Sequence, residues 1–335
     1  MPIADRGHIV FVNEASSLIG MGHILRNLVL AKIMHSRGYT ISGITIGDEK
    51  AVRFAEERVN RERFAWPIRI VQNLQQAIAN LTLLMPQAVV VDCSNASREI
   101  VHASVSLGIA TVALDYFSTE PPLPAAIINL IDHHPSTIAG HRPVREGVDY
   151  FEGPQFAIIR TEFLEARERR RLKDERSVIS NIVIAFGGAD PQGNSQSAMD
   201  MLAQWPGRFK VDMVIGPLFA SKIGTGIGNV EIRTHVSPKD MGILFENADL
   251  VFCGGGGTLL EALCVGTPAV VMAQNDAELR HAKSLAQRNA CWIADEINWE
   301  VVSQQQNRKK RADCARACVD GMGADRIGDV IEQQL

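Results

Sequence analysis

Short apolar runs alternate with helical patterns along nearly the whole chain, and this alternation constrains the fold more than any other feature. In the first half, the predicted strands are Ile9–Val12, Thr40–Ile46, Ala88–Asp92 and Ala110–Leu114. These runs are continuously apolar, which is typical of parallel strands that are covered on both faces. We therefore predict an α/β fold with Rossmann-like sheets.

The second half carries its own set of the same units. Its predicted strands are Asn181–Phe186, Val211–Ile215, Val230–Arg233, Leu250–Cys253 and Ala269–Ala273. A chain of 335 residues exceeds one ordinary core. We expect two Rossmann-like domains, 1–152 and 153–315, that face each other across a cleft with the ligand at the carboxyl ends of the strands. A C-terminal helix within 316–335 is expected to pack back on the first domain.

Helical patterns fill the intervals between the predicted strands. They cover His23–Arg37, Glu49–Arg58, Leu74–Leu84, Ser97–Leu107, Asn194–Gln204, Lys239–Asn247, Thr258–Val265 and Ala277–Arg288. One further segment, Glu165–Arg176, is dense in Arg and Glu of alternating sign. This charge pattern favours a solvated helix with i,i+4 ion pairs over a nucleic-acid patch.

Composition limits the classes of partner. The formal net charge of −4 gives no footprint for a polyanion, so we expect no nucleic-acid partner. Six scattered cysteines without a Cys-x-x-Cys pair are typical of reduced thiols in a cytoplasmic protein. We expect neither a signal peptide nor a membrane span. The group Asp132, His133, His134 and His141 lacks a clear metal-ligand spacing, and no metal or other cofactor is expected.

A glycine turn connects the first predicted strand to a helix and contains Gly20, Gly22 and His23. The glycines allow a sharp turn and a close approach of the backbone to a ligand. The third glycine of a dinucleotide fingerprint and the Gly-Lys-Ser/Thr of a P-loop are both missing. His23 lies in the first helical turn, where the helix dipole disfavours an imidazolium, so it is a candidate general base. A polar helix cap is the alternative interpretation.

Two further glycine turns directly follow strands in the second half. In the first turn, Gly187 and Gly188 bring backbone N–H groups close to a ligand. Asp190 either accepts from a sugar hydroxyl or caps the turn.

The second turn contains four consecutive glycines and opens a helix, which makes it a natural pyrophosphate site. These glycines are Gly254, Gly255, Gly256 and Gly257. Thr258 is expected to cap the helix and to bind a phosphate oxygen. Glu261 follows at the spacing of a capping box; the alternative is a carboxylate that accepts from both ribose hydroxyls of a nucleotide.

Together these motifs resemble those of the UDP-sugar hydrolases of pseudaminic acid biosynthesis and the related spore-coat polysaccharide proteins. More distantly, they resemble those of the UDP-GlcNAc transferases of peptidoglycan synthesis. The shared motifs occur in family order over most of the chain: Gly20-x-Gly22-His23-x-x-Arg26-x-Leu28-x-Leu30-Ala31, Gly153-Pro154-x-Phe156-x-x-x-Arg160-x-Glu162-Phe163, Phe186-Gly187-Gly188-Ala189-Asp190-Pro191, Met241 to Asp249, Gly255-Gly256-Gly257-Thr258-x-x-Glu261 and Gly266-x-Pro268.

The resemblance implies a GT-B architecture and a UDP-sugar substrate. The second domain would bind UDP, with the diphosphate on Gly255, Gly256 and Thr258 and the ribose on Glu261. His23 would act as base on a water that attacks the anomeric carbon with inversion, and Arg26 would support or contact the sugar. The product would enter the synthesis of surface or flagellar sugars.

The chain departs from this family around the sugar. Asp92-Cys93-Ser94 replaces Asp-x-Tyr, Asp115-Tyr116 replaces Asp-Asp, and Gly257 replaces a serine. Ala277-Glu278 replaces an Asn-Gln pair near the nucleotide, so Glu278 is included among the candidate site residues. These changes leave the identity of the sugar open.

Two other functions are compatible with the same residues. In an inverting glycosyltransferase, His23 would deprotonate an acceptor hydroxyl instead of water. In a non-catalytic nucleotide-sugar binder, no base would be needed. If the acceptor is a lipid, a patch of Arg58, Arg61, Arg63, Phe64 and Trp66 would make weak contact with a membrane surface; a solvated helix end is the alternative.

Overall fold

A computed structural model describes residues 6–16, 22–48, 53, 66–131, 147–187, 190–205, 207–216, 219, 224, 230–234 and 236–335. The chain divides into two compact units. Unit 1 comprises Met1–Ile158 together with Met322–Leu335, and unit 2 comprises Ile159–Gly321. Each unit contains its own sheet, in which all described strand pairs are parallel. The predicted α/β class with two Rossmann-like sheets is therefore confirmed.

The described elements follow one another in strand–helix order. They are β1 (His8–Ala15), α1 (Gly22–Ser36), β2 (Thr40–Gly47), β3 (Ile68–Val71), α2 (Leu74–Leu84), β4 (Ala88–Asp92), α3 (Ser97–Ser106), β5 (Ala110–Leu114), β6 (Ala126–Asn129), β7 (Asp149–Glu152), α4 (Thr161–Arg171), β8 (Asn181–Ala185), α5 (Asn194–Ala203), β9 (Lys210–Ile215), β10 (Val230–Thr234), α6 (Pro238–Asn247), β11 (Leu250–Cys253), α7 (Gly257–Val265), β12 (Ala269–Val271), α8 (Asp276–Gln287), β13 (Trp292–Ile293), α9 (Trp299–Ser303), α10 (Gln305–Cys318) and α11 (Gly323–Gln333). Short 3-10 turns cover Pro154–Phe156 and Ala294–Glu296.

The sheet of unit 1 has the strand order β3-β2-β1-β4-β5-β6-β7. Ile9 and Phe11 enter the hydrophobic cluster on one face, while Val10 and Val12 enter the cluster on the other. Both faces are therefore covered, as the continuous apolar run predicts. The strand order changes direction between β1 and β4, because β2 and β3 are added on one side of β1 and the later strands on the other. In sheets of this type, ligands bind at the carboxyl ends of the strands at this point.

The C-terminal helix α11 belongs to unit 1. Its Ile327 and Ile331 are fully buried in the same cluster as Ile9. At the exposed edge of this contact, Arg37 donates to Asp329 at 2.7 Å and to Glu332 at 2.9 Å. Apolar burial and ion pairs therefore both attach the end of the chain to the first sheet.

The sheet of unit 2 has the strand order β10-β9-β8-β11-β12-β13. Its reversal point lies between β8 and β11, the two strands that lead into the glycine turns. The topology therefore places both turns at the edge where a Rossmann-like sheet binds its ligand.

Four short strands were not predicted from the sequence: β3, β6, β7 and β13. Each has four residues or fewer, and all of them lie at or next to a sheet edge. Of these, β7 forms one edge of the first sheet. The predicted helix Glu49–Arg58 lies outside the described residues except for Arg53.

The charged segment Glu165–Arg176 is only partly the solvated helix that its sequence predicts. Helix α4 ends at Arg171, and Glu165 pairs with Arg169 at 3.6 Å on the surface. Arg170, in contrast, is buried and donates to the carbonyls of Glu246 at 2.9 Å and Ala248 at 2.7 Å. This arginine therefore binds the last carbonyls of α6, which have no partner within their own helix.

Among the described residues, no helix combines the length and apolar character that crossing a bilayer requires. All six cysteines are free thiols, and four of them are buried.

Candidate active site

In unit 1, candidate residues gather where β1, β4 and β5 end side by side. His23 is the second residue of α1, Asp92 is the last residue of β4, and Asp115 follows β5 directly. Because neighbouring parallel strands end at the same edge of the sheet, these side chains meet despite their separation in sequence.

The position of His23 defines its tautomer. Its Nδ1 lies 3.1 Å from the backbone carbonyl oxygen of Glu14. Since a carbonyl only accepts, Nδ1 carries the proton, and Nε2 has the free lone pair in the neutral ring. Nε2 lies 3.5 Å from Ser94 Oγ, and the side chain of His23 is 18% exposed. A neutral, accessible Nε2 is what a general base requires.

Arg26 is bound to carboxylates of the protein. Its Nε donates to Asp92 at 2.7 Å, its Nη2 donates to the other oxygen of Asp92, and its Nη1 donates to Asp115 at 2.8 Å. Burial by itself lowers the pKa of Arg26, but the two carboxylates raise it above its ordinary value. Three of the five N–H donors of Arg26 thus bind Asp92 and Asp115. Of the two predicted roles, support or contact with the sugar, this geometry favours support, and contact stays a prediction.

Two further residues, to which the sequence analysis did not point, complete this arrangement. Glu14 is buried and accepts from the backbone N–H groups of Ser94 and Asn95, at 2.7 Å each. Asn27 donates to Asp92 at 2.7 Å and to the carbonyl of His23 at 2.7 Å. For Asp92 and Asp115, in contrast, the sequence did contain a signal, because each of them stands at the end of an apolar run.

Cys93 lies beside these groups as a buried thiol. Burial, together with the charges of Glu14 and Asp92, raises its pKa well above the ordinary value. A thiol kept in its neutral form is a poor nucleophile, so Cys93 contributes packing.

Gly22 opens α1, and a Cβ at this position would meet no described atom within 4 Å. Backbone and ligand can thus approach each other here. Gly20 and Gly188 lie outside the described residues, as do Asp132, His133, His134, His141 and the arginines of the Arg58–Trp66 patch. Trp66 itself is described and buried, with its ring edge-on to Phe11 at 6.2 Å, so it is a core residue of unit 1.

In unit 2, the four-glycine turn follows β11 and leads into α7. Helix α7 begins at Gly257 with Gly256 as its N-cap, and the N-cap makes no side-chain hydrogen bond. The predicted cap at Thr258 and its capping box with Glu261 are therefore wrong, because Thr258 already lies in the first helical turn. The first N–H groups of a helix have no intrahelical partner, which leaves those of Gly257 and Thr258 pointing out of the helix end.

Gly255 is held by α8. Its N–H donates to Glu278 at 2.9 Å, and its carbonyl accepts from His281 Nδ1 at 2.7 Å. A Cβ on Gly255 would lie 2.5 Å from the backbone oxygen of Glu278. The expected role of Gly255 in seating the diphosphate is thus corrected: its N–H is occupied, and a glycine is required there for packing against α8.

Glu278 shapes the turn. One of its oxygens accepts from the N–H groups of both Gly255 and Gln274, at 2.9 Å each. Its own N–H is capped by Asn275 at 2.9 Å, which starts α8 at Asp276. A Cβ on Gly256 would lie 3.3 Å from the other oxygen of Glu278, whereas a Cβ on Gly257 would meet no described atom within 4 Å. The open side of the turn is therefore at Gly257.

Glu261 and Arg160 form one unit. Arg160 donates through Nε at 2.8 Å and through Nη2 at 2.7 Å to the same oxygen, Oε1 of Glu261. Its guanidinium also stacks over the ring of Phe163, 4.8 Å from the centroid. Burial raises the pKa of Glu261, while the charge of Arg160 acts in the opposite direction. The pair fixes a carboxylate one helical turn after Gly257, on the same face of α7.

The remaining glycine turn follows β8. Gly187 has a φ of 78°, which favours glycine. Asp190 is buried, and its two oxygens accept from the N–H groups of Asn194 at 2.9 Å and Ser195 at 2.8 Å. Of the two interpretations of Asp190, the structure places it in the helix-capping arrangement.

Comparison with known proteins gives distant relatives. No protein-family model matches the chain. An uncharacterized protein of Methanocaldococcus jannaschii, MJ1062, is 23% identical over 287 residues, which cover 81% of this chain and 56% of that protein. The spore coat polysaccharide biosynthesis protein SpsG of Bacillus subtilis is 26% identical over 211 residues, or 55% of this chain and 60% of that protein. The matches thus span less than two thirds of these relatives.

Solved structures show the fold. MurG of Acinetobacter baumannii superposes with a TM-score of 0.65 at 17% identity, over 97% of this chain and 99% of that chain. The kitacinnamycin glycosyltransferase gives 0.67 at 15% identity, over 98% and 99%. HepE of Anabaena, solved with UDP-glucose, gives 0.64 at 15% identity, over 98% and 100%. The chain therefore has the GT-B fold.

Proposed function

We propose that the chain is an inverting glycosyltransferase that uses a UDP-activated sugar as donor. The observation that carries the proposal is the geometry of His23 on a GT-B fold: its Nδ1 is bound to the backbone carbonyl of Glu14, so that Nε2, 3.5 Å from Ser94 Oγ, carries the lone pair that can accept a proton. The structural neighbours add support, because one of them was solved in complex with UDP-glucose. A nucleotide-sugar substrate is also consistent with a cytoplasmic enzyme.

In the proposed reaction, Nε2 of His23 takes the proton from an acceptor hydroxyl as its oxygen attacks the anomeric carbon. The bond between the anomeric carbon and the diphosphate oxygen breaks, and UDP leaves with that electron pair. Attack opposite to the leaving group inverts the configuration. General-base catalysis of this type contributes about 10²- to 10⁴-fold to a rate.

Unit 2 is proposed to bind the UDP. The N–H groups of Gly257 and Thr258 at the start of α7, together with the helix dipole, would stabilise the diphosphate charge. Glu261 would accept from the ribose hydroxyls through Oε2, because Arg160 occupies only Oε1. This assignment keeps the phosphate and ribose on one face of one helix.

A second candidate is hydrolysis of a UDP-amino sugar, with water in place of the acceptor. It is favoured by the order of sequence motifs, which resembles that of the UDP-sugar hydrolases. The residues and their roles are the same in both reactions. Only the molecule that loses its proton to His23 differs.

An assay of UDP release from a panel of UDP-sugars, with and without acceptors, tests both candidates. Release that depends on an acceptor supports the transferase, and release at full rate without one supports the hydrolase. The variant His23→Ala is expected to lose activity in either case, while His35→Ala, at the far end of the same helix, serves as the matched control. UDP binding without turnover of any sugar would contradict both.

A further inference from the structure

One carboxylate faces His23 directly, because Oδ1 of Asp92 lies 3.9 Å from its Nε2. Arg26 donates to both Asp92 and Asp115, and the carboxylate of Glu14 accepts from the backbone N–H groups of Ser94 and Asn95. A charged carboxylate beside an imidazole generally favours the protonated ring, which has no lone pair to accept a proton. The charge of Asp92 therefore needs a counter-charge if the neighbouring histidine is to act as a base.

The carboxylate of Asp92 makes no hydrogen bond to the imidazole. Its Oδ1 lies 3.9 Å from Nε2 of His23, which is within ion-pair distance but beyond hydrogen-bond distance. Both oxygens of Asp92 instead accept from α1, namely from Arg26 and Asn27. Asp92 is fully buried, so water cannot screen its charge, and Arg26 is its only described cationic hydrogen-bond partner.

The other two acids are likewise engaged by the protein. Glu14 directs its carboxylate at the backbone of Ser94 and Asn95. Asp115 accepts from Arg26 through one oxygen and from the N–H of Leu130 at 2.9 Å through the other. Asp115 has a φ of 48°, in the left-handed region that aspartate adopts more often than most other residues do. Arg26 is thus the shared counter-charge of two carboxylates near the base.

We propose that Arg26 is a positioning residue for His23: it offsets the charge of Asp92 and, with Asn27, takes up both oxygens of that carboxylate, so that the imidazole stays available in its neutral form. The role of the neutral form as a base rests on the proposed function. The effect of Arg26 on the charge around His23 does not depend on the proposed function, and it can be measured on the ligand-free protein.

The test is an NMR titration of the His23 imidazole in the wild type and in Arg26→Gln, Arg26→Lys and Asp115→Asn. The chain has nine histidines, so the signal is assigned by its loss in His23→Gln. Removing the positive charge in Arg26→Gln is expected to move the titration midpoint up by about one pH unit or more, the effect of one charge at close range. Arg26→Lys keeps the charge and should stay close to the wild type.

Asp115→Asn is expected to move the midpoint in the opposite direction, because it removes a negative charge and leaves Arg26 on Asp92. The opposite signs distinguish an electrostatic role from general damage to the fold. The acid limb of the activity profile should shift in parallel with each midpoint.

An unchanged or lowered midpoint in Arg26→Gln would overturn the proposal, as would a shift in Arg26→Lys equal to that in Arg26→Gln. If Arg26→Gln does not fold, Asp115→Asn still decides, since a midpoint that stays or rises contradicts the proposal. Full activity of His23→Gln would refute the proposed function alone and would leave the titration result standing.

Discussion

Each unit has an arginine at the centre of several hydrogen bonds, half-buried Arg26 in unit 1 and buried Arg170 in unit 2, but the two arginines compensate different groups. Arg26 of unit 1 binds the side chains of Asp92 and Asp115 beside His23, and these carboxylates raise its pKa. Arg170 of unit 2 binds mainly backbone carbonyls at the end of α6, and burial lowers its pKa although Glu175 counteracts this effect. Such an arginine can thus set the charge around a reactive group or join helix ends. The groups to which the arginine donates its hydrogen bonds show which of these two roles it has.

The comparison predicts a large stability effect at Arg170. Arg170→Ala leaves the carbonyls of Glu246 and Ala248 and the carboxylate of Glu175 without their buried donor. We expect the free energy of unfolding of unit 2 to fall by roughly 3–5 kcal/mol, the usual result of breaking a buried ion pair. Chemical denaturation followed by fluorescence or circular dichroism measures this loss.

Arg171→Ala is the matched control, since the neighbouring side chain is 63% exposed and should change stability by less than about 0.5 kcal/mol. The folded fraction of Arg170→Ala should retain the pH profile of the wild type, in contrast to Arg26→Gln. A shift in the pH profile of activity in Arg170→Ala would contradict the difference in role between Arg26 and Arg170.

A substitution in the four-glycine turn of unit 2 is expected to have a smaller effect on stability. Gly255→Ala would place a Cβ 2.5 Å from the backbone oxygen of Glu278, which cannot move without shifting α8. We expect it to destabilise unit 2 by about 1–3 kcal/mol, as overpacking does. Gly257→Ala meets open space and should be neutral or stabilise the helix by up to about 1 kcal/mol. Equal losses in both variants would contradict the packing role assigned to Gly255.

The smallest expected effect is the pH dependence of UDP binding at Glu261. Burial raises the pKa of this carboxyl, so it takes up a proton at a higher pH than an ordinary glutamate does. Its ionised form is the better acceptor, and UDP affinity should therefore fall on acidification before the pH reaches the ordinary value of about 4.3. Calorimetric titrations across this range should show the fall in the wild type and a flatter profile in Glu261→Gln. The same slope in both proteins would remove Glu261 from the UDP site.

Continuous apolar runs predicted the central strands well: the limits of β4, β5 and β11 match those expected from the sequence. The short strands β3, β6, β7 and β13, at or near the sheet edges, were not predicted in this way. Local pattern also located His23 and the glycine turns, because a turn after a strand is a property of neighbouring residues.

Pairings across the sheet could not be predicted in this way. Arg26 is 66 residues from Asp92 and 89 from Asp115, and Arg160 is 101 residues from Glu261. Which strands become neighbours decides these contacts, and the apolar pattern of each strand does not specify its neighbours. The same reason explains why Gly255 was interpreted as a ligand contact when its N–H in fact belongs to Glu278.

The most direct test of the account compares turnover with UDP affinity in His23→Ala. If His23 is the base of a nucleotide-sugar enzyme, kcat for UDP release should fall by about 10²- to 10⁴-fold. The Kd for UDP measured by calorimetry should stay within about twofold of the wild type, because UDP is assigned to unit 2 and a twofold change is only a few tenths of a kcal/mol. Undiminished turnover in this variant would contradict the central claim.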